Sequence, residues 1–105
     1  MAEKVEELMQ VLRKLRDLLA AHGRDQWVYG VATSLKEIEQ DDAHGVSRFL
    51  GLFGGMGSIS DVLFHQLNGD VGTADDLRRD NDLLSRLRSR GYELAHDLRS
   101  ERNRR

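Results

Sequence analysis

The stretch AEKVEELMQVLRKLRDLLAAH, residues 2–22, decides the fold class. Val5, Leu8, Met9, Leu12, Leu15 and Leu19 recur at steps of three and four, which lines them up on one face of an α-helix. Glu6, Glu7, Arg13, Lys14 and Asp17 take the opposite face, and Gly23 follows as the stop, because glycine adopts the left-handed conformation that ends helices without a steric penalty. An apolar stripe of this length has to be covered by other helices, and the rest of the chain must supply them.

It does so with the same spacing. A second helix is predicted from about Arg24 to Gln40, burying Trp27, Val28, Val31, Leu35 and Ile38. Gly30 within it costs about 1 kcal/mol relative to alanine, which points to close approach of a neighbouring helix, with a tolerated surface glycine as the alternative. The polar run Glu39-Gln40-Asp41-Asp42 ends this helix and offers a capping aspartate for the next. A third helix over about Ala43 to Phe53 buries Val46, Phe49, Leu50 and Phe53, and Gly54-Gly55-Met56-Gly57 breaks it. Ser58 reads as an N-cap with Asp61 three residues on, opening a further short helix that buries Val62, Leu63, Phe64 and Leu67. Asn68, Gly69, Asp70 and Gly72 make a turn. Thr73 then caps the last helix, with Asp75 and Asp76 in its first turn against the positive end of the dipole.

That last helix runs to about Ser100 with Leu77, Leu84, Leu87, Leu94 and Leu98 in one stripe. Gly91 falls in the same stripe, where a larger side chain would hold a neighbouring helix away. No apolar run alternates with period two, so the expectation is all-α: a small four- to five-helix bundle as a single domain over residues 1–100, followed by a frayed basic tail at 101–105.

Composition narrows the function classes. A chain of 105 residues makes one core and buries roughly 60–70% of the surface its unfolded form exposes. The absence of proline leaves long helices unobstructed, and the absence of cysteine excludes disulfides, zinc thiolates and thiol nucleophiles. The N-terminus is acidic and amphipathic, unlike a secretory signal, and the longest apolar stretch, near Phe49 to Phe53, is far short of a membrane span. A cytoplasmic, membrane-free protein is expected. The net charge of −2 hides an uneven distribution, with ten acidic against three basic residues over 37–82 and four arginines against one glutamate over 99–105.

Residues that could carry chemistry read better as structure. His22, His44, His65 and His96 lack the three- or four-residue spacing of metal ligands on one helical face, so neither metal nor cofactor is expected. His65 with Asp61 resembles an acid/base pair, yet at four residues' separation it reads as a helix-surface hydrogen bond. Ser58 and Ser60 read as capping rather than nucleophilic residues. The glycine cluster at 54–57 lacks the lysine and the preceding strand of a phosphate-binding loop, and reads as a tight connection between helices. Arg99, Arg102, Arg104 and Arg105 give a nucleic-acid reading some footing, which the acidic body opposes. No catalytic residue is therefore expected.

The segment RFLGLFGGMGSISD at residues 48–61, followed by a leucine-rich helix containing Tyr92-Glu-Leu-Ala95, is similar to a family of small bacterial proteins sharing an F-G-G-M-G-S core. With the Trp27 helix the likeness covers about residues 24–98. Proteins of this kind resemble immunity proteins, which neutralise a cognate toxin protein domain by plugging or masking its active site. The resemblance carries over no catalytic residue and implies that Gly54, Gly55, Met56, Gly57 and Ser58 are fold determinants.

Toxin domains acting on nucleic acids present cationic clefts, and an acidic surface meets such clefts by steered association. The expected partner-binding residues are accordingly Glu37, Glu39, Asp41 and Asp42, with Asp75, Asp76 and Asp80 as a second group lying nearby if the helices pack antiparallel. Three rival readings stay open: a helical regulator binding nucleic acid through Arg99–Arg105, an enzyme built on His65 and Asp61, and a homodimer in which a first helix of about 32 Å projects past the bundle to pair with a second copy.

Overall fold

The computed structural model describes residues 2–103. It has four α-helices: α1, Ala2–Ala21; α2, Asp25–Glu39; α3, His44–Leu50; and α4, Ala74–Asn103. No strand occurs among the described residues, so the protein is an all-α bundle. None of these helices is long and apolar enough to cross a membrane.

The helix ends follow from local chemistry. Gly23 has φ +68°, and behind it the Arg24 N–H bonds Leu19 O at 3.0 Å while the Gly23 N–H bonds Ala20 O at 3.0 Å. This pair of bonds satisfies carbonyls that α1 would otherwise leave open. The same motif ends α2 with Asp41 at φ +59° and the Asp42 N–H on Glu37 O at 2.8 Å. Asp42 then turns to the next helix and accepts the His44 N–H at 2.9 Å, the capping role expected of this acidic run. At α4 the Asp76 N–H bonds the Thr73 hydroxyl at 3.0 Å and the Asp76 carboxylate accepts the Thr73 N–H at 3.1 Å, a reciprocal cap.

α4 is the spine. Thirty residues span about 45 Å, close to the 48 Å long axis of the molecule. α1 lies antiparallel along it from Lys4 beside Glu101 to His22 beside Asp80, with Arg90 forking onto Glu7 between them. Hence α1 does not project past the bundle, and the projection expected of it is corrected. α2 packs on α1, and α3 bridges α2 and α4. Leu8, Leu12, Leu15, Leu19, Val31, Phe49, Leu84 and Leu94 are fully buried at the centre, each worth roughly 1.5–3 kcal/mol relative to exposure. Every residue of the predicted α4 stripe, Gly91 included, is buried.

Three expectations are corrected. α3 ends at Leu50 rather than Phe53, leaving Phe53 only partly buried. The helix expected after Ser58 is one 3₁₀ turn, Ile59–Asp61, then extended backbone and a second 3₁₀ turn, Gln66–Asn68. The reason lies on α4: Asn81 takes both the N–H and the C=O of Phe64, at 2.9 and 2.8 Å, and Arg88 takes the carbonyls of Ile59 and Val62 at 2.8 and 3.0 Å. Backbone groups that a helix would use internally are claimed from outside. The third correction is at the C-terminus, where α4 continues through Asn103 with Glu101 held by Lys4, so residues 101–103 are helical; Arg104 and Arg105 lie outside the described residues.

The glycines divide by purpose. A Cβ on Gly91 would lie 3.0 Å from Phe49 Cζ, so α4 does approach closely there. At Gly30 the neighbour is the Leu52 side chain rather than another helix. The tightest backbone approach falls where no signal was read: a Cβ on Gly45 would lie 2.6 Å from Ser34 O and 2.9 Å from Ile38 N, so α3 rides directly on the α2 backbone.

Candidate partner-binding surface

Residues 51–73 connect α3 to α4. The connection begins with a tight loop in which Gly54, Gly55 and Gly57 all take positive φ, at +108°, +76° and +76°, and it closes where the Ile59 N–H bonds Leu52 O at 3.1 Å. A Cβ at these glycines would meet nothing within 4 Å, so they serve backbone conformation rather than close packing. Ser58 accepts the Ser60 N–H at 3.2 Å, as an N-cap, and Asp61 reaches back to accept the Gly57 N–H at 2.7 Å. Ile59 is fully buried, and Met56 at the tip is 99% exposed.

Further along, the connection is tied to the α1–α2 corner by a buried polar cluster. Asp70, whose side chain is wholly buried, receives a two-pronged hydrogen bond from Arg24 at 2.9 and 2.7 Å and the His65 N–H at 2.7 Å. His22 Nδ1 stands 3.0 Å from Asp70, and Nε2 stands 2.7 Å from Asp80 on α4. Ionised carboxylates only accept, so both contacts are hydrogen bonds when both ring nitrogens carry protons. The ring also stacks on Phe64, at 3.6 Å between centroids and 8° between planes, with Arg24 5.4 Å from the centre of the same Phe64 ring. Burial works to raise the Asp70 pKa, but the Arg24 fork, the His65 N–H and His22 outweigh it and hold the carboxyl below its ordinary value.

A connection braced this way nevertheless turns apolar side chains outward. Leu63 is 54% exposed, Leu67 90% and Val71 91%. With Met56, the connection holds four of the six large exposed apolar side chains among the described residues. Leu63 and Leu67 were expected in the core. They face solvent because the segment is not helical, and Phe64 alone of that group is fully buried. The signal available in the sequence was the placing of Leu67 and Val71 on either side of Asn68-Gly69-Asp70, where a turn interrupts any stripe.

The acidic residues singled out from the sequence fall at opposite ends of the bundle. Asp41 and Asp42 line a groove of about 300 Å³ with Val5, Val46, Leu98 and Arg102. Asp80 lies eighteen residues of α4 before Leu98, about 27 Å away along the helix. The two groups therefore do not form one surface, contrary to expectation. Most of these acids also have internal partners: Glu37 is forked by Arg48, Glu39 meets Arg13 at 3.0 Å, Asp75 meets Arg78 at 2.9 Å and Asp76 meets Arg79 at 2.6 Å. The His44 backbone N–H holds the Asp42 pKa below its usual value, and the Thr73 N–H and hydroxyl do the same for Asp76. Asp75 and Asp76 begin α4 directly beyond Val71, so they edge the apolar side chains of the connection.

The His65–Asp61 pair does not form, either as a helix-surface bond or as an acid/base couple. His65 Nδ1 accepts the Leu67 N–H at 3.0 Å while Asp61 is engaged by Gly57, and the groove beside His65 is lined by Gln66, Leu77 and Asn81 rather than by Asp61. Among the described residues no three histidines or carboxylates converge to hold a metal ion.

A protein-family profile, described as a domain of unknown function (DUF6966), matches residues 20–73. No curated protein and no solved structure matches the chain. The matched half begins at the last turn of α1, takes in His22, Arg24, the glycine loop and Asp70, and stops at the cap of α4.

Proposed function

The chain belongs to the DUF6966 family, and we propose that it is a bacterial immunity protein that acts in the cytoplasm by binding a cognate toxin domain and masking that domain's active site. It carries no catalytic role in this reading. The observation behind it is the pairing of bracing with exposure in the 51–73 connection: Leu63, Leu67 and Val71 are held outward by a backbone pinned at Asp70 and Phe64. Apolar side chains presented on a pre-organised segment lose little freedom on binding, which is how a small surface reaches useful affinity. Over the first turns of α4 Asp75, Asp76, Asp80 and Asp82 outnumber Arg78 and Arg79, so the rim keeps a net negative charge suited to a cationic cleft even with two of these acids paired. Asp41 and Asp42 serve first as helix caps, which moves the centre of the proposed interface from the end of α2 to this connection.

The test is calorimetric binding to an inactivated toxic domain encoded beside this chain, paired with survival of cells producing the active domain. Leu67→Asp with Val71→Asp is expected to weaken binding by at least about tenfold, as for loss of an interface anchor, while thermal melting stays unchanged. Retained affinity in that variant, with loss in Asp41→Lys and Asp42→Lys instead, would place the interface at the end of α2. Self-association abolished by the same Leu67 and Val71 changes would identify a second copy as the occupant.

A further inference from the structure

Twelve residues beyond Asp76, α4 carries an arginine in an unusual position. Arg88 is half-buried, and its Nη1 is spent on the carbonyls of Ile59 and Val62. Those carbonyls are neutral, and no carboxylate pairs with it among the described residues, whereas Arg13, Arg16, Arg24, Arg48, Arg78, Arg79 and Arg90 each have one. Arg86, Arg99 and Arg102 also lack such a partner but are exposed to water, which compensates them. Burial lowers the Arg88 pKa, and the charge of Asp61, which makes no ion pair with it, offsets that only in part. Among the described residues the Nε and Nη2 edge has no hydrogen-bond partner, and this is the edge that grips a carboxylate or phosphate with two parallel bonds.

Arg88 lines an open groove of about 480 Å³ whose other walls, mostly exposed side chains, are rich in unused donors. Ser85 and Ser89 stand one turn apart on α4, and Ser60 reaches in from the connection. Their hydroxyls make no hydrogen bond among the described residues. The remaining wall is aromatic: Phe53 and Tyr92 meet edge to face at 5.1 Å. One carboxylate, Glu93, also borders the groove, and Arg90 draws it aside at 2.5 Å.

We propose that this groove binds a small phosphate monoester, its phosphate on Arg88 and the serine hydroxyls and its apolar body against Phe53 and Tyr92. Several hydroxyl donors around one guanidinium suit the three acceptor oxygens of a phosphate better than the two of a carboxylate. The volume is ample for more than the anion alone. Ser60 and the Ile59 and Val62 carbonyls belong to the connection, so an occupied groove would also tighten the segment that displays Leu63. The proposal stands independently of toxin binding.

The experiment is a nuclear magnetic resonance titration of the full chain, following the Arg88 Nε–H and the amides of Ser60, Ser85 and Ser89. The additions are inorganic phosphate, a nucleoside monophosphate, the matching nucleoside and acetate. The expected result is saturable shifts at these four positions with both phosphates, several-fold tighter for the monoester, and weak or no response to nucleoside or acetate. Ser89→Glu, which places a carboxylate at the groove and leaves the Arg88 backbone contacts alone, is expected to lower affinity by at least about tenfold with an unchanged melting temperature. Shifts spread equally over Arg86 and Arg99, equal binding of acetate and phosphate, or no saturable response would each overturn the proposal.

Discussion

The α1–α4 seam and the connection between α3 and α4 are held by opposite means. Along the seam, leucines at helical spacing meet leucines at helical spacing, and the ion pairs at Lys4, Glu7 and their partners only edge a surface already closed by packing. The connection has Ile59 and Phe64 as its fully buried apolar residues and depends on Asp70, Asn81 and Arg88 for the rest. The seam should tolerate loss of a single exposed edge charge, because its burial rests on packed leucines. In the connection each polar group satisfies several others, so removal of one strands its partners in a dry environment.

Asp70→Ala tests this contrast most severely. It strands the Arg24 guanidinium, the His65 N–H and one nitrogen of His22, and it is expected to cost about 3–5 kcal/mol in urea denaturation. Lys4→Ala on the seam is expected to cost under about 1 kcal/mol. A cost below about 1 kcal/mol for Asp70→Ala would mean that packing of Ile59 and Phe64 suffices to hold the connection.

Within the packed part, two glycines sharpen the picture. Gly45→Ala drives a methyl group into backbone that cannot retreat, for an expected loss of roughly 2–3 kcal/mol. Gly91→Leu is expected to lose about 1–3 kcal/mol. Gly91→Ala should fall within about 1 kcal/mol of the parent, because improved helix propensity offsets the crowding of Phe49. Thermal melts of the three variants give the ranking; a Gly91→Leu protein melting at the parent temperature would place α4 farther from Phe49 than described.

Acid should act on the connection through Asp70. A carboxyl whose folded pKa lies below its unfolded value contributes stability that is fully present above the unfolded pKa, about 3.9, and is lost as pH falls through the folded one. The protection factor of the His65 amide, which donates to Asp70, is therefore expected to fall below about pH 4, and Asp70→Asn should abolish that acid limb at the expense of stability near neutrality. The smallest effect is expected at the display residues. Leu67→Ser and Val71→Ser should each shift stability by no more than about 0.5 kcal/mol, since neither side chain is buried, and a larger change in the melt would show that they pack in solution.

What could be read from the sequence follows the same division. Helix positions, the α4 stripe, the buried Gly91 and the capping roles of Gly23, Asp42, Ser58 and Thr73 all depend on neighbours within a few residues, so spacing reveals them. His22 with Asp70, Arg24 with Asp70 and His22 with Asp80 join residues 48, 46 and 58 positions apart. Such pairs leave no periodic trace, and His22 read as the end of a helix and as one of four histidines without ligand spacing. The short helix expected at Ser58 failed for a related reason: its carbonyls and amides were already taken by Asn81 and Arg88, whose reach across the bundle no local pattern encodes. The acidic residues were legible as charge, but their consumption by arginines and caps was not.

The stacking of His22 on Phe64 has a practical consequence. A ring lying flat over another at 3.6 Å sits in the shielding cone of its neighbour's circulating electrons, so the carbon-bound protons of His22 should resonate well upfield of those on the exposed His44 and His65. That displacement needs no label and no partner to observe. It vanishes when Phe64 leaves the ring, and so a single resonance in an otherwise crowded spectrum reports whether the connection is seated or lifted.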